Sequence, residues 1–230
     1  MSSEKWLLWL DGVHSPFFNM AIDELLLENA PAVNRPLLRI YRWDRPSVSI
    51  GCSQLFPEEA ARDYTVVRRP TGGGNVWHDR DLTYTVTVPA GHPIVQLDRM
   101  ASYRIFHEAM LPMVEHLGGH AVIKSDETPG VVRATMRCFT SPSRFDLMAE
   151  AGGKYAGAAQ RRTRNGLLHQ GSISLEASHG DWEALSSALR ESLAAYFKVE
   201  YEPFTPDADL IARSEKLAEE KYAGTEWNRG

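Results

Sequence analysis

The apolar positions of the chain fall into blocks of different period. WLLWLDG (6–12) is a short continuous apolar run that ends in a turn, the pattern of a buried strand. Ser15-Pro16 then supplies an N-cap residue and a first-turn proline. Phe18, Ala21, Ile22, Leu25 and Leu26 follow at helical spacing, which predicts a helix to about Asn29. LLRIYRW (37–43) and SVSIG (47–51) read as strands on either side of Asp44-Arg45-Pro46. TVVRR (65–69) and the alternating LTYTVTVP (82–89) read as a strand–loop–strand pair resembling a hairpin. Residues 98–117 carry a helical pattern, irregular near Pro112, and a loop is expected at roughly 124–131. FDLMAE (145–150) and KYAG (154–157) flank a Gly152-Gly153 turn as a strand pair, and GSISL (171–175) is a further strand. WEALSSALRESLAAYF (182–197) is amphipathic, and ADLIARSEKLAEEKYA (208–223) predicts a second, terminal helix. The sum is an α/β chain (of α+β type) with several mixed strands and about four helices.

Composition narrows this picture. Hydrophobic residues make up 43% and charged residues 24% of the 230, ordinary values for a globular enzyme with ample core material. The net charge of −5 argues against binding nucleic acid through bulk charge. No apolar run reaches the ~18 residues of a membrane span, so no membrane partner is expected. The N-terminus lacks the basic region and small-residue cleavage site of a signal peptide. Two cysteines, Cys52 and Cys138, make no disulfide framework, and a reducing cytoplasm is the expected compartment. No repeat, low-complexity tract or linker divides residues 1–230, which predicts a single domain closed by the last two helices (about 182–223).

The candidate chemistry centres on VVRRPTGGGNVWHD (66–79). Three consecutive glycines are entropically costly and belong where φ is positive or where a ligand approaches the backbone. Exposed N–H groups in such a loop can cradle carboxylate or phosphate oxygens, and Arg68 and Arg69 add planar, permanently charged donors. A flexible hairpin with a structural glycine run is the plainer reading. The spacing matches neither a P-loop nor a dinucleotide-binding glycine motif. A structural metal site has no cysteine set to build it, so none is expected.

RRPTGGGNVWHDRDLTYTV resembles the Arg-Arg-x-Thr-Gly-Gly-Gly-x-Val-x-His-Asp segment of the lipoate-protein ligase and cysteine octanoyltransferase family. LDGVHSPFFNMAIDELLL (10–27), LLRIYRWDRPSVSIGCSQ (37–54), GGKYAGAAQRR (152–162) and LLHQGSISL (167–175) resemble further family segments in the same order. The resemblance implies a central mixed sheet flanked by helices, a fold shared with biotin protein ligases. It implies transfer of an octanoyl or lipoyl group to a lysine of a lipoyl-domain protein. It places substrate on Arg68, Arg69, Thr71, Gly72, Gly73, Gly74, His78, Asp79, Gly157, Gly171 and Ser172. Lys154 is the implied catalytic cation at the reacting carbonyl; His78 could position the carbonyl end or assist proton transfer, and Asp79 could orient the histidine or merely cap the turn.

Two mechanisms occur in that family. The transferases pass the acyl group from acyl carrier protein through a cysteine thioester, without a cofactor; the ligases use ATP and Mg2+ to form an acyl-adenylate. TMRCFTSPSRFDL (135–147) resembles the transferases' nucleophile loop, which makes Cys138 the implied nucleophile, with Arg137 adjacent to favour the thiolate. Cys52, at a strand end, reads as a small buried hydrophobe. No separate C-terminal accessory domain of the kind many ligases carry is expected. The acceptors implied are the glycine cleavage H protein or the E2 subunits of 2-oxoacid dehydrogenases. The ATP-dependent ligase remains the alternative, and a non-catalytic lipoyl-binding protein or a biotin ligase stands further off. Gln170, where many members have His, and the modest chain length are departures that leave open an inactive member or one of altered specificity.

Overall fold

A computed structural model describes residues 3–126, 143–149, 153–174 and 181–230. In chain order the strands are β1 (Glu4–His14), β2 (Leu37–Trp43), β3 (Ser47–Ile50), β4 (Thr65–Arg68), β5 (Val76–His78), β6 (Asp81–Pro89), β7 (Ala121–Ile123), β8 (Leu147–Ala149), β9 (Lys154–Thr163), β10 (Gly166–Ser174) and β11 (Val199–Pro203). The helices are α1 (Pro16–Val33), α2 (Pro93–Gln96), α3 (Arg99–Glu108), α4 (Leu111–His116), α5 (Trp182–Phe197), α6 (Ala208–Leu217) and α7 (Thr225–Arg229). Among the described residues the larger sheet has eight strands in the order β11-β1-β2-β6-β10-β9-β8-β7, and the smaller has three in the order β4-β3-β5. β1 pairs in parallel with β2 and β11, whereas every pairing from β2 to β7 is antiparallel, so the large sheet is mixed.

Helix α1 starts where its cap residue stands: Ser15 Oγ accepts from the Phe18 N–H at 3.2 Å. It ends at Asn34, whose left-handed φ of 52° lets its N–H reach the Ala30 carbonyl. Its apolar stripe (Phe18, Ala21, Ile22, Leu25 and Leu26) packs with Leu7, Trp9 and Leu37 on one face of the large sheet. Burying each such large side chain contributes about 1.5–3 kcal/mol. Helix α5 covers the opposite face, setting Leu185, Leu189 and Leu193 against Trp6, Leu38, Leu82 and Tyr84.

Three expectations are corrected. The strands at 65–69 and 82–89 are not a hairpin: β4 pairs with β3 in the small sheet, while β6 lies at the centre of the large one. The three-residue β5 between them makes the switch by pairing with β3, and it is too short to show a period. The helix at 98–117 is two helices, because Pro112 has no N–H to continue α3 and instead occupies the first turn of α4. The terminal helix runs regularly only to Leu217, and a π turn, Ala218–Tyr222, follows it. Strand β11, which pairs Val199–Pro203 with Glu4–Leu8, was not anticipated.

Candidate active site

The glycine loop runs from β4 to β5 and leans on the end of β3. Arg69 ties it down: Nη2 donates to the carbonyls of Gly72 (2.6 Å) and Gly74 (2.7 Å), and Nη1 to the Ser49 carbonyl (2.9 Å). Gly73 has a φ of +85°, and a Cβ there would lie 2.9 Å from Arg69 Nη2. The glycine at 73 is therefore required by both backbone sign and crowding. Gly73 and Gly74 line a cleft between the two sheets, partly open to solvent, and Gly72 faces a neighbouring hollow.

Arg68 does not face this cleft. Nε donates to the Trp227 carbonyl (3.0 Å), Nη1 to the carbonyls of Gly51 (3.1 Å) and Gln54 (2.8 Å), and Nη2 to that of Asn228 (2.7 Å). Its planar fork fastens β4 to the C-terminal segment, so the expected ligand contact is replaced by a clamp. Thr71 also lies behind the wall: it is fully buried and donates to Gln170 Oε1 at 2.7 Å.

His78 lines the cleft and is held on every side. Nδ1 meets Asp81 Oδ2 at 2.8 Å, Nε2 meets Ser49 Oγ at 2.8 Å, and the Trp43 ring stacks on the imidazole at 3.9 Å and 15°. Asp81 Oδ2 also accepts from Thr83 Oγ1 (3.0 Å) and Ser172 Oγ (2.7 Å). The expectation that Asp79 orients the histidine fails. Asp79 is exposed on the two-residue connection from β5 to β6, and Asp81, at the start of β6, points back to the ring.

Lys154 opens β9 and is buried beside the cleft, with Nζ 2.7 Å from Asp146 Oδ2. Asp146 is itself fixed by Tyr103 OH (2.6 Å) and the Ser143 N–H (2.6 Å). A Cβ added at Gly157 would collide with Lys154 Nζ, so that glycine gives the lysine its path over the strand. Ser172 and Gly171 line the cleft from β10. Gly171 has a second reason to be glycine, since a Cβ would strike the Tyr84 ring on the opposite face of the sheet. The structure thus gathers Arg69, Gly73, Gly74, His78, Lys154, Gly157, Gly171 and Ser172 around one cleft.

Cys138, its neighbour Arg137, and Gly152 lie outside the described residues. Cys52 is exposed, against the expectation of burial. Among the described residues no cluster of His, Cys, Asp and Glu is arranged to hold a metal. No helix there is long and apolar enough to cross a membrane.

Four groups were not singled out from the sequence: Ser49 and Tyr103, which line the cleft, and Asp81 and Asp146, which hold His78 and Lys154. Tyr103 shows no signal, being one aromatic on an amphipathic helix.

The profile of the lipoyl protein ligase A/B catalytic domain matches residues 15–202. The octanoyltransferase LipM of Geobacillus kaustophilus is 31% identical over 276 aligned positions, covering 99% of both chains. That of Kyrpidia tusciae is 37% identical over 81% of this chain and 71% of its own. Among solved structures, lipoate-protein ligase A bound with ATP superposes with a TM-score of 0.80 at 20% identity, covering 98% of this chain and 99% of that one. The bi-partite lipoate protein ligase of Thermoplasma acidophilum, studied with its E2 lipoyl domain, gives 0.77 at 20% identity, covering 99% and 97%. At that identity the two superpositions speak for the fold, a mixed sheet flanked by helices. The profile match and the relatives above 30% identity place this chain in the lipoyl protein ligase A/B catalytic domain family.

Proposed function

We propose that the protein transfers an octanoyl group from a carrier thioester to a lysine of a lipoyl-domain protein, through a thioester on Cys138. The observation that carries this reading is the set of octanoyltransferases to which the chain is 31–37% identical, one of them along 99% of both chains. The cleft chemistry supports it. The Cys138 thiolate attacks the donor carbonyl, the carrier thiol leaves with a proton, and an acyl-enzyme remains. The acceptor amine then attacks the same carbonyl, the thiolate leaves, and the amide forms. Each attack puts negative charge on the carbonyl oxygen. The Lys154 ammonium, aimed by Asp146 and passing over Gly157, is the group to receive it. The acyl chain lies in the cleft, where burying six methylenes is worth about 5 kcal/mol.

In this reading the donor is acyl carrier protein, the acceptors are the glycine cleavage H protein or E2 subunits, the reaction needs no cofactor, and the compartment is the cytoplasm. The ATP-dependent ligase is the second reading, favoured by a fold neighbour that binds ATP. Intact-mass spectrometry after mixing with octanoyl carrier protein, without ATP, separates the two. The transfer reading expects one octanoyl adduct on Cys138, released by hydroxylamine, absent from Cys138→Ser and retained in Cys52→Ser. No adduct, with amide formation that needs octanoate plus ATP and survives Cys138→Ser, would overturn it.

A further inference from the structure

The distance from Lys154 to the Tyr41 wall of the cleft follows from strand register. Lys154 Nζ lies over Gly157. Gly157 pairs with Ser172, Ser172 with Thr83, and Thr83 with Tyr41. Three spacings between neighbouring strands put Tyr41 about 14 Å from Gly157. An extended eight-carbon acyl chain has seven C–C bonds of about 1.5 Å in zigzag and spans roughly 9 Å. With its carbonyl at Lys154 and its chain running toward β2, its methyl end falls about 5 Å short of the Tyr41 backbone, and Met20, Tyr41 and Trp43 all line this cleft.

Those three walls differ in stiffness. Tyr41 is 1% exposed, its hydroxyl donates to Asp23 Oδ2 at 3.3 Å, and the Arg39 guanidinium sits 3.9 Å from its ring centre. Trp43 donates from Nε1 to Thr83 Oγ1 at 2.8 Å and stacks on His78. Neither ring can turn without breaking a buried polar contact. Met20 reaches the cleft from α1 on an unbranched thioether that accepts a weak hydrogen bond from Gln170 Nε2 at 3.6 Å. A thioether with three rotatable bonds is the wall that can yield.

We propose that Met20 is the specificity-determining residue for acyl length, closing the cleft at eight carbons while yielding enough to admit a chain that ends in a dithiolane ring. This rests on the acyl-transfer reading above. Gln170 serves it as a positioning residue: it accepts from Thr71 and donates to Asp23 (2.8 Å), which fixes the amide that holds the sulfur.

The test measures kcat/KM of the full chain with hexanoyl, octanoyl, decanoyl and dodecanoyl carrier-protein thioesters. A hydrophobic pocket discriminates by about 10–200-fold per methylene. Met20→Ala is expected to move the optimum to ten or twelve carbons and to raise the dodecanoyl-to-octanoyl ratio at least about ten-fold. Met20→Phe is expected to move the optimum to six, and Met20→Leu to leave it at eight. Thermal melts confirm that each variant is folded, and Met20→Val replaces the alanine variant if that one is not. An unchanged length profile in the folded variants overturns this inference alone. Wild-type protein that transfers no chain of any length overturns the transfer reading, and this inference with it.

Discussion

Replacing Asp146 by Asn removes one charge from a buried pair while keeping shape and most hydrogen-bonding capacity. Lys154 and Asp146 side chains are only 2% and 1% exposed, so water screens their attraction poorly. Removing one partner of such a pair typically costs about 3–5 kcal/mol, because the remaining charge keeps its desolvation penalty. For a chain of this size each kcal/mol shifts the melting temperature by about 2–4 °C, so Asp146→Asn should melt roughly 10 °C lower. Lys154→Met should lose a similar amount, since it leaves the carboxylate without this counter-charge. The double variant Asp146→Asn/Lys154→Met buries no charge at this position and should recover at least half of the loss, a coupling read directly from the cycle of four melts. Activity should not follow stability. On the role proposed for Lys154, Asp146→Asn should transfer octanoyl about 10²–10³-fold more slowly, and the restabilised double variant should be inactive, because it lacks that cation. Additive melts, or a single variant as stable as the wild type, would refute the reasoning.

Two further outcomes are expected. His107 is fully buried; burial pushes its imidazole down from 6.5 to about 4, with Asp146 opposing and Lys154 reinforcing the shift. The unfolded chain therefore takes up this proton first as pH falls, so His107 leaves stability intact above pH 6.5 and withdraws it between 6.5 and 4. Urea titrations should show wild-type protein losing about 2–3 kcal/mol more than His107→Phe between pH 7.5 and 4.5, and parallel pH curves would contradict this. Arg68→Lys keeps the charge but cannot span the carbonyls of Trp227, Asn228, Gly51 and Gln54. It should lower stability by about 3 kcal/mol in denaturant melts and change KM for the acyl donor less than about two-fold at temperatures where it is folded. A raised KM at unchanged stability would return Arg68 to the ligand.

Much of the scaffold was legible because its signals are local. Ser15 and Pro16 mark the start of α1, and the β-branched alternation of 82–89 marks β6. The pairing of β4 with β3 instead of β6 was not legible, since partner choice depends on a three-residue strand with no readable period. In the site, the glycines and Lys154 could be read from their motifs, but the direction of a side chain could not. Arg68 and Arg69 are adjacent in sequence, and strand alternation turns the first toward the C-terminal segment and the second into the glycine loop. Asp79 and Asp81 are two residues apart in the chain. One faces solvent while the other holds His78, a choice made by the turn between them.

The Arg68 clamp has a bearing on how the protein is made. Residues that leave a ribosome early wait here for residues that leave late: β1 cannot complete its pairing until Val199–Pro203 has emerged, and β4 is not fastened until Trp227 and Asn228 follow. Contacts this far apart in sequence form slowly, because loop closure must precede any gain from them. The glycine loop that follows β4 is therefore expected to acquire its final shape only after Trp227 and Asn228 have emerged. A ribosome-stalled chain ending near residue 220 would hold most of its core and should bind acyl donor poorly until the last stretch is released.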